Sequence, residues 1–161
     1  MAGPIDYIPR IRAKYSALGH GVYEWVRGED APKWQPLSRP LSECRLALIA
    51  SGGVYLTGQV AFHHRDDTSF REIPTTCATR DLRATHFAYD LEPARADPNV
   101  VFPIDTLRGL RDEGVIGELA ATAYTFMGGI YSAERVRNRL SPLLVERLVA
   151  QSVDALLLVP V

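Results

Sequence analysis

The amino-acid sequence predicts an α/β domain with three layers, in which helices cover both faces of a mostly parallel sheet. Short apolar runs support this fold class, and residues 45–50 show the uninterrupted pattern that is typical of a strand buried on both faces. Segments with helical periodicity alternate with these runs, as they do in domains built on parallel sheets. At 161 residues the chain is long enough to bury one such core.

Residues 1–44 are predicted to form a helix and a proline-rich arm, and residues 45–161 to form the α/β domain on which the arm docks. Apolar side chains recur at helical spacing over residues 8–18, and a glycine follows them. Trp25 and Trp34 then stand among three prolines. Because a disordered linker would carry few aromatic residues, we expect the arm to be ordered and the two parts to make one structural domain.

The remaining elements follow from the same kinds of pattern. Asp105 is a suitable N-cap for a helix over residues 106–113, and Gly114 is a suitable left-handed residue to end it. Residues 57–80 are predicted to be one long polar loop, and loops of this length are usually functional or mobile. Further strands are expected at 84–89, 119–126 and 153–160, the last with a buried pattern. Helical periodicity returns at Val136, and we expect the helix to restart at Ser141.

The composition argues against nucleic-acid and membrane partners. The net charge is −1, and the arginines are scattered among acidic residues, so they form no basic footprint. No apolar run reaches the length of a membrane-spanning helix, and the first residues do not read as a signal peptide. Cys44 and Cys77 match no zinc or redox spacing. We therefore expect a cytoplasmic protein with two spectator thiols and no bound metal.

Glycine-rich and polar segments follow the predicted strands. In an open parallel sheet such segments meet at the carboxyl edge, which is where ligands bind. The glycines allow close backbone approach, and the amide N–H groups of Ser51, Gly52 and Gly53 could hold an anionic group such as a carboxylate. A tight strand-to-loop turn explains the same residues equally well. Met127 and Gly128 are expected at the same edge.

His86, Tyr89 and Asp90 are the candidate catalytic residues. A histidine and a carboxylate at this spacing could act as a general base and its orienting group. They could also be two metal ligands, or the histidine could be purely structural, and a metal site would need a third and a fourth ligand.

Arg65, Arg71 and Glu72 lie in the long polar segment that is expected above the same edge. Two arginines in such a segment could hold a carboxylate substrate through paired hydrogen bonds. The alternating charges are also found in solvated loops, but the binding interpretation is slightly favoured.

An ordered series of motifs runs along nearly the whole chain. It comprises residues 7–10, 51–56, 69–74, 79–83, 85–86, 89–90, 97 with 99, 101–105, 114–117 and 153–161. Together these motifs resemble the selenoprotein B subunit family of the glycine/sarcosine/betaine and D-proline reductases. The resemblance implies an oxidoreductase subunit that acts on a small amino acid or a related amine, a substrate that carries a carboxylate.

In that family the last strand is followed by a selenocysteine or cysteine, and then by a second cysteine a few residues on. The resemblance implies that this selenolate or thiolate attacks the α-carbon of the substrate and displaces the nitrogen. The second cysteine and an external dithiol or thioredoxin-like reductant then release the product. In some members a pyruvoyl group on a partner subunit activates the substrate amine, so partner reductase subunits are expected.

Selenocysteine is encoded by UGA, which is normally read as a stop. A chain that ends at Val161 is what such a reading would give, so we expect this form to lack the nucleophile and to be inactive as a reductase. The exposed end of its last strand is expected to favour self-association into a homo-oligomer. Two alternatives stay open: a non-catalytic module that binds small carboxylates, and a different enzyme that uses His86, Tyr89 and Asp90 in acid–base or metal chemistry.

Overall fold

The computed structural model describes residues 6–21, 31 and 35–161. The chain divides into two compact units, residues 1–34 and 35–161. In the first unit, helix α1 (Tyr7–Ala17) forms where helical periodicity predicts it, and none of its side chains is buried. The predicted docking of Trp25 and Trp34 lies outside the described residues.

The second unit alternates strands and helices along the chain. Its strands are β1 (Arg45–Ala50), β2 (Val54–Leu56), β3 (Phe70–Pro74), β4 (Leu82–Ala84), β5 (Glu118–Leu119), β6 (Thr122–Phe126) and β7 (Ala155–Val159). Its helices are α2 (Leu91–Ala96), α3 (Ile104–Asp112), α4 (Ala133–Arg135) and α5 (Ser141–Ala150), and a π-helical turn (Val136–Leu140) joins the last two. Short 3-10 helices lie at Leu41–Glu43, Thr79–Asp81 and Pro98–Val100.

The main sheet is built around β1. On one side β1 pairs in parallel with β7, and on the other side it pairs in parallel with β5 and then β6. At the outer edge β3 runs antiparallel to β6. The sheet is therefore mostly parallel, as the sequence predicts.

Helices cover both faces of this sheet. Alternate side chains of β1 point to opposite faces, so Leu48 joins a core cluster with Ile104 of α3. Ile49 and Tyr124 join a second cluster with Leu144 of α5 on the other face. Burial on both faces explains why residues 45–50 are uniformly apolar, and the predicted three-layer α/β fold is confirmed.

Residues 84–89 are not the strand that the sequence predicts. Strand β4 ends at Ala84 and pairs antiparallel with β2 in a separate two-stranded sheet. The next residues form a loop, because their side chains satisfy nearby backbone groups. The Ala88 N–H donates to His86 Nδ1 over 3.0 Å, and the Glu92 N–H donates to the Asp90 carboxylate, also over 3.0 Å. Such local hydrogen bonds compete with strand pairing.

Two other predictions about segments need correction. Residues 57–80 are not one loop, because β3 lies within them and finds its partner, β6, about fifty residues away along the chain. Asp105 does not cap α3, which begins one residue earlier at Ile104. Its carboxylate instead accepts hydrogen bonds from Thr79 and Asn99, over 2.6 and 3.0 Å. Gly114 does end the helix with a left-handed φ of 75°.

Strand β7 is less buried than its apolar sequence predicts. Leu156 is 39% exposed and Leu158 is 61% exposed, whereas the alternate residues pack against the larger core cluster. These side chains are exposed because β7 is an edge strand: among the described residues it pairs only with β1. On α5, Val145 and Val149 are also exposed.

Candidate functional site

Loops from several elements meet at the carboxyl edge of the main sheet. The Ser51 N–H donates to the Val159 carbonyl over 3.0 Å, and the Ser51 carbonyl accepts from the Gly128 N–H over 2.9 Å. The Gly53 N–H donates to the Phe126 carbonyl over 3.1 Å. These bonds join the ends of β1, β6 and β7, so the segments that follow the three strands lie side by side.

Two further contacts complete this edge. The Tyr89 hydroxyl donates to the Gly52 carbonyl over 2.7 Å, which ties the loop after β4 to the turn after β1. The Val161 N–H donates to Ser51 Oγ over 2.9 Å. The structure thus brings together the segments at Ser51, Met127, Tyr89 and Val161, although β4 belongs to the small sheet.

Gly52 and Gly53 permit the close backbone approach at this edge. Gly53 has a φ of 64°, and a Cβ atom there would lie 2.0 Å from the Thr85 carbonyl oxygen. A Cβ atom at Gly52 would lie 3.1 Å from Val101 Cβ and 3.3 Å from a methyl group of Val161. The tight-turn interpretation therefore accounts for both glycines.

Two of the three amide groups that could hold an anion already donate hydrogen bonds within the protein. The N–H groups of Ser51 and Gly53 donate to backbone carbonyls. Among the described residues, only the Gly52 N–H of this trio donates no hydrogen bond.

His86 is a buried polar side chain at this edge. It is 8% exposed, and its ring lies 5.4 Å from the Phe87 ring in a stacked arrangement and 4.7 Å from the Tyr89 ring. Its Nδ1 accepts the Ala88 N–H, whereas its Nε2 is buried and has no hydrogen-bond partner among the described residues. Burial lowers the pKa of His86 below its ordinary value of 6.5, so the ring is neutral at pH 7.

The other two candidate catalytic residues take different positions. Burial raises the pKa of Tyr89, so its hydroxyl stays protonated and serves as the donor to Gly52. Asp90 is exposed, and its carboxylate caps the first turn of α2. The structure has no hydrogen bond between Asp90 and His86, so the carboxylate does not orient the imidazole.

Arg71 holds its own loop together. Its Nε donates to the Val60 carbonyl over 2.7 Å, its remaining nitrogens donate to neighbouring oxygens, and the guanidinium lies 4.2 Å above the Phe62 ring. Glu72 forms an ion pair with Arg147 of α5 over 3.2 Å. The guanidinium of Arg71 is therefore used within its own loop, so Arg71 does not form the predicted carboxylate clamp with Arg65.

The loop that contains Arg65 does lie at the carboxyl edge, because β3 begins beside Phe126, the last residue of β6. The Arg65 side chain is exposed. Asp67 organises the loop by accepting the N–H groups of His63 and Ser69, each over 2.9 Å. Burial alone would raise the pKa of Asp67, but a hydrogen bond from the Ser69 hydroxyl, together with these two N–H groups, outweighs it and lowers the pKa.

Phe87 and Gly129 are site residues that the sequence analysis missed. A Cβ atom at Gly129 would lie 2.1 Å from the end of the Phe87 ring, so the absence of a side chain there makes room for the aromatic ring. The signal was present in the second glycine of the 128–129 pair, but only the fold shows which side chain fills the space.

The described residues contain neither a cluster of metal ligands nor a membrane-spanning helix. No group of three or more His, Cys, Asp or Glu side chains in this part of the chain is arranged to hold a metal ion. None of its helices is both long enough and apolar enough to cross a membrane. Cys44 is buried, and burial raises the pKa of the partly buried Cys77 despite the nearby Arg108.

Acidification is expected to remove stability that depends on neutral His86. Because the pKa of His86 is lower in the folded state, the unfolded chain takes up a proton first as the pH falls through 6.5. The free energy of unfolding should then fall by at most about 1.4 kcal/mol per pH unit and level off below the folded-state pKa. Urea unfolding between about pH 7.5 and pH 5 measures this slope.

The matched control for this titration is His86→Gln, which lacks the titrating ring. Its stability should decline less than that of the unmodified chain over the same pH range, because the remaining carboxylates titrate in both proteins. Equal declines would show that His86 contributes nothing to the pH dependence.

Comparison with known proteins identifies the family. The family model described as glycine/sarcosine/betaine reductase selenoprotein B matches residues 27–161. The D-proline reductase subunit gamma of Acetoanaerobium sticklandii is 34% identical over 127 residues, which are 79% of this chain and 52% of that protein. The glycine reductase complex component B subunit gamma of Symbiobacterium thermophilum is 31% identical over 128 residues, 76% of this chain and 30% of that protein.

A third relative is the sarcosine reductase complex component B subunit beta of Peptoclostridium acidaminophilum, which is 32% identical over 100 residues, 53% of this chain and 21% of that protein. No solved structure is significantly similar to this chain. The chain spans about half the length of the D-proline reductase relative and less of the other two. The match over residues 27–161 shows that the chain belongs to the glycine/sarcosine/betaine reductase selenoprotein B family.

Proposed function

We propose that this chain forms the substrate side of the redox site in an amino-acid reductase subunit. The reaction is the reductive cleavage of a carbon–nitrogen bond in a small amino acid or related amine, with a dithiol as electron donor. Family membership and the names of the relatives support this proposal. The observation that carries it is the position of Val161, whose N–H donates to Ser51 Oγ at the glycine-lined edge beside buried His86.

In the complete subunit we propose that a selenocysteine or cysteine follows Val161, as the resemblance to the family implies. Its anion attacks the α-carbon, and the carbon–nitrogen bond breaks with its electron pair going to nitrogen, which takes up a proton. A second cysteine then attacks the sulfur or selenium atom, and the released carbon takes up a proton. The external dithiol reduces the resulting disulfide or selenenyl sulfide, so it supplies both electrons.

The residues of this chain position that chemistry. Ser51 Oγ accepts the Val161 N–H and so fixes where the following residue begins. Gly52 and Gly53 carry no side chain, so a methyl group of Val161 and the Thr85 carbonyl pack directly against this turn. The Tyr89 hydroxyl holds the Gly52 carbonyl, which fixes the turn from the other side. Where a pyruvoyl group takes part, a partner subunit would carry it and would supply electron withdrawal at the substrate nitrogen.

The test is to express the complete subunit with its partner subunits and with cysteine at the position after Val161. D-Proline, glycine, sarcosine and betaine are then assayed for product formation that consumes dithiothreitol. We expect one of them to be reduced, and the same protein with serine at that position to be inactive, because an alcohol cannot undergo thiol exchange. Equal activity of the serine protein, or no turnover of any substrate, would contradict the proposal. Retained binding without turnover would favour a carboxylate-binding module.

A further inference from the structure

The tautomer of His86 follows from its contacts. The Ala88 N–H donates to Nδ1 over 3.0 Å, so Nδ1 carries a lone pair and no proton. A neutral imidazole has one proton, which must then be on Nε2. His86 therefore presents a buried N–H donor, and this donor has no partner among the described residues.

The Nε2–H of His86 differs from the polar groups around it, because it has no hydrogen-bond acceptor among the described residues. Two neighbouring polar groups have partners: the partly buried Tyr89 hydroxyl donates to the Gly52 carbonyl, and the buried Thr125 Oγ1 donates to the Val54 carbonyl. A buried N–H without an acceptor costs free energy, and such a group in a folded protein calls for an explanation, such as a ligand, an ordered water molecule or a role in catalysis. The His86 ring lies beside Gly53, where a Cβ atom would be 3.7 Å from His86 Cδ2, the carbon bonded to Nε2.

We propose that the Nε2–H of His86 is the hydrogen-bond donor for an anionic group bound at the carboxyl edge of the sheet. The proposal rests on the function proposed above and specifies how its site works. The anion is either the carboxylate of the substrate or the thiolate or selenolate of the nucleophile, since both accept a hydrogen bond from a neutral imidazole. His86 then acts as a binding group and not as a general base.

The contacts of His86 argue against its use as a general base, which is one of the roles that the sequence leaves open. A base needs a free lone pair directed at the substrate, and the only lone pair of this ring, on Nδ1, accepts the Ala88 N–H. A catalytic histidine is commonly oriented by a carboxylate. Here the Asp90 carboxylate is used as the cap of α2.

A ligand reaches Nε2 when a covering side chain moves, because the atom itself is buried. Phe87 is 45% exposed, and its ring stacks on the His86 ring and lies against Gly129.

The first experiment determines the tautomer in the 161-residue chain. Long-range proton–nitrogen NMR of the histidine rings distinguishes the Nε2–H form from the Nδ1–H form without any substitution. We expect His86 to be the Nε2–H tautomer at neutral pH. The Nδ1–H tautomer, or a charged ring, would overturn the proposal.

The second experiment identifies the anion with two matched variants. Gln places an amide nitrogen near the position of Nε2, whereas Asn places one only near the position of Nδ1. In the first arm, acetate and D-proline are titrated into the unmodified chain, His86→Gln and His86→Asn, with chloride at equal ionic strength as the control. If the anion is a carboxylate, binding should weaken by about tenfold or more in His86→Asn and be largely kept in His86→Gln.

In the second arm, the complete subunit carries cysteine after Val161, and the pH dependence of its alkylation gives the thiol pKa. If the anion is the nucleophile, His86→Asn should raise this pKa and His86→Gln should not. An effect in either arm supports the donor role and identifies its acceptor. If neither arm shows an effect, the donor role of His86 is overturned, even if the reductase activity itself is established.

Discussion

Replacing Gly53 with alanine should destabilise the domain by about 3–5 kcal/mol, among the larger effects of any single substitution. Gly53 has a φ of 64°, which a residue with a side chain adopts only at a cost, and a Cβ atom would lie 2.0 Å from the Thr85 carbonyl oxygen. That oxygen belongs to the backbone and cannot move aside alone. Relief would require the hydrogen bond from the Thr85 N–H to the Gly53 carbonyl, now 3.0 Å long, to break.

Gly58→Ala is the matched control for this substitution. Gly58 also has a positive φ, of 94°, but no heavy atom lies within 4 Å of its Cβ position. Its substitution should cost only the backbone penalty of about 1–2 kcal/mol. Urea unfolding of both variants separates the two causes, and equal losses of stability would show that the close approach at Thr85 does not matter.

Phe102→Ala should destabilise the domain by about 3–5 kcal/mol, because it removes a large side chain from a packed core. Phe102 is fully buried and belongs to the cluster that joins β1 to α3. The neighbouring helices cannot collapse into the space without moving the sheet, so a cavity should remain. The transition midpoint in urea should fall while the slope stays the same, because the surface exposed on unfolding hardly changes.

Val100→Ala tests whether the loss is specific to the core. Val100 lies two residues away and is 57% exposed, so its truncation should change the free energy of unfolding by less than about 0.5 kcal/mol. A loss for Phe102→Ala as small as that for Val100→Ala would mean that the core around α3 is not packed as described.

The sequence predicts the parts of the fold that depend on local pattern. Residues 45–50 are uniformly apolar because β1 is buried on both faces, and Gly114 ends α3 because a left-handed residue is needed there. Segments whose structure depends on distant partners were less predictable. Strand β3 exists because β6 lies beside it, and β7 is half-exposed because it is at the edge of the sheet.

The same distinction applies to the site. The rule that loops after parallel strands converge was enough to bring Ser51, Gly128 and Val161 together. The chemical state of each side chain was not predictable, since it depends on a single partner. Arg71 is occupied by the Val60 carbonyl, and His86 is an Nε2–H donor because one backbone N–H meets its Nδ1.

We propose that this edge is completed by a redox nucleophile directly after Val161. The most direct measurement is the nucleotide sequence of the gene through and beyond codon 161. We predict a UGA or cysteine codon next, followed in the same reading frame by a second cysteine codon within a few residues. A different sense codon there, or a UAA or UAG stop with no such continuation, would contradict the account.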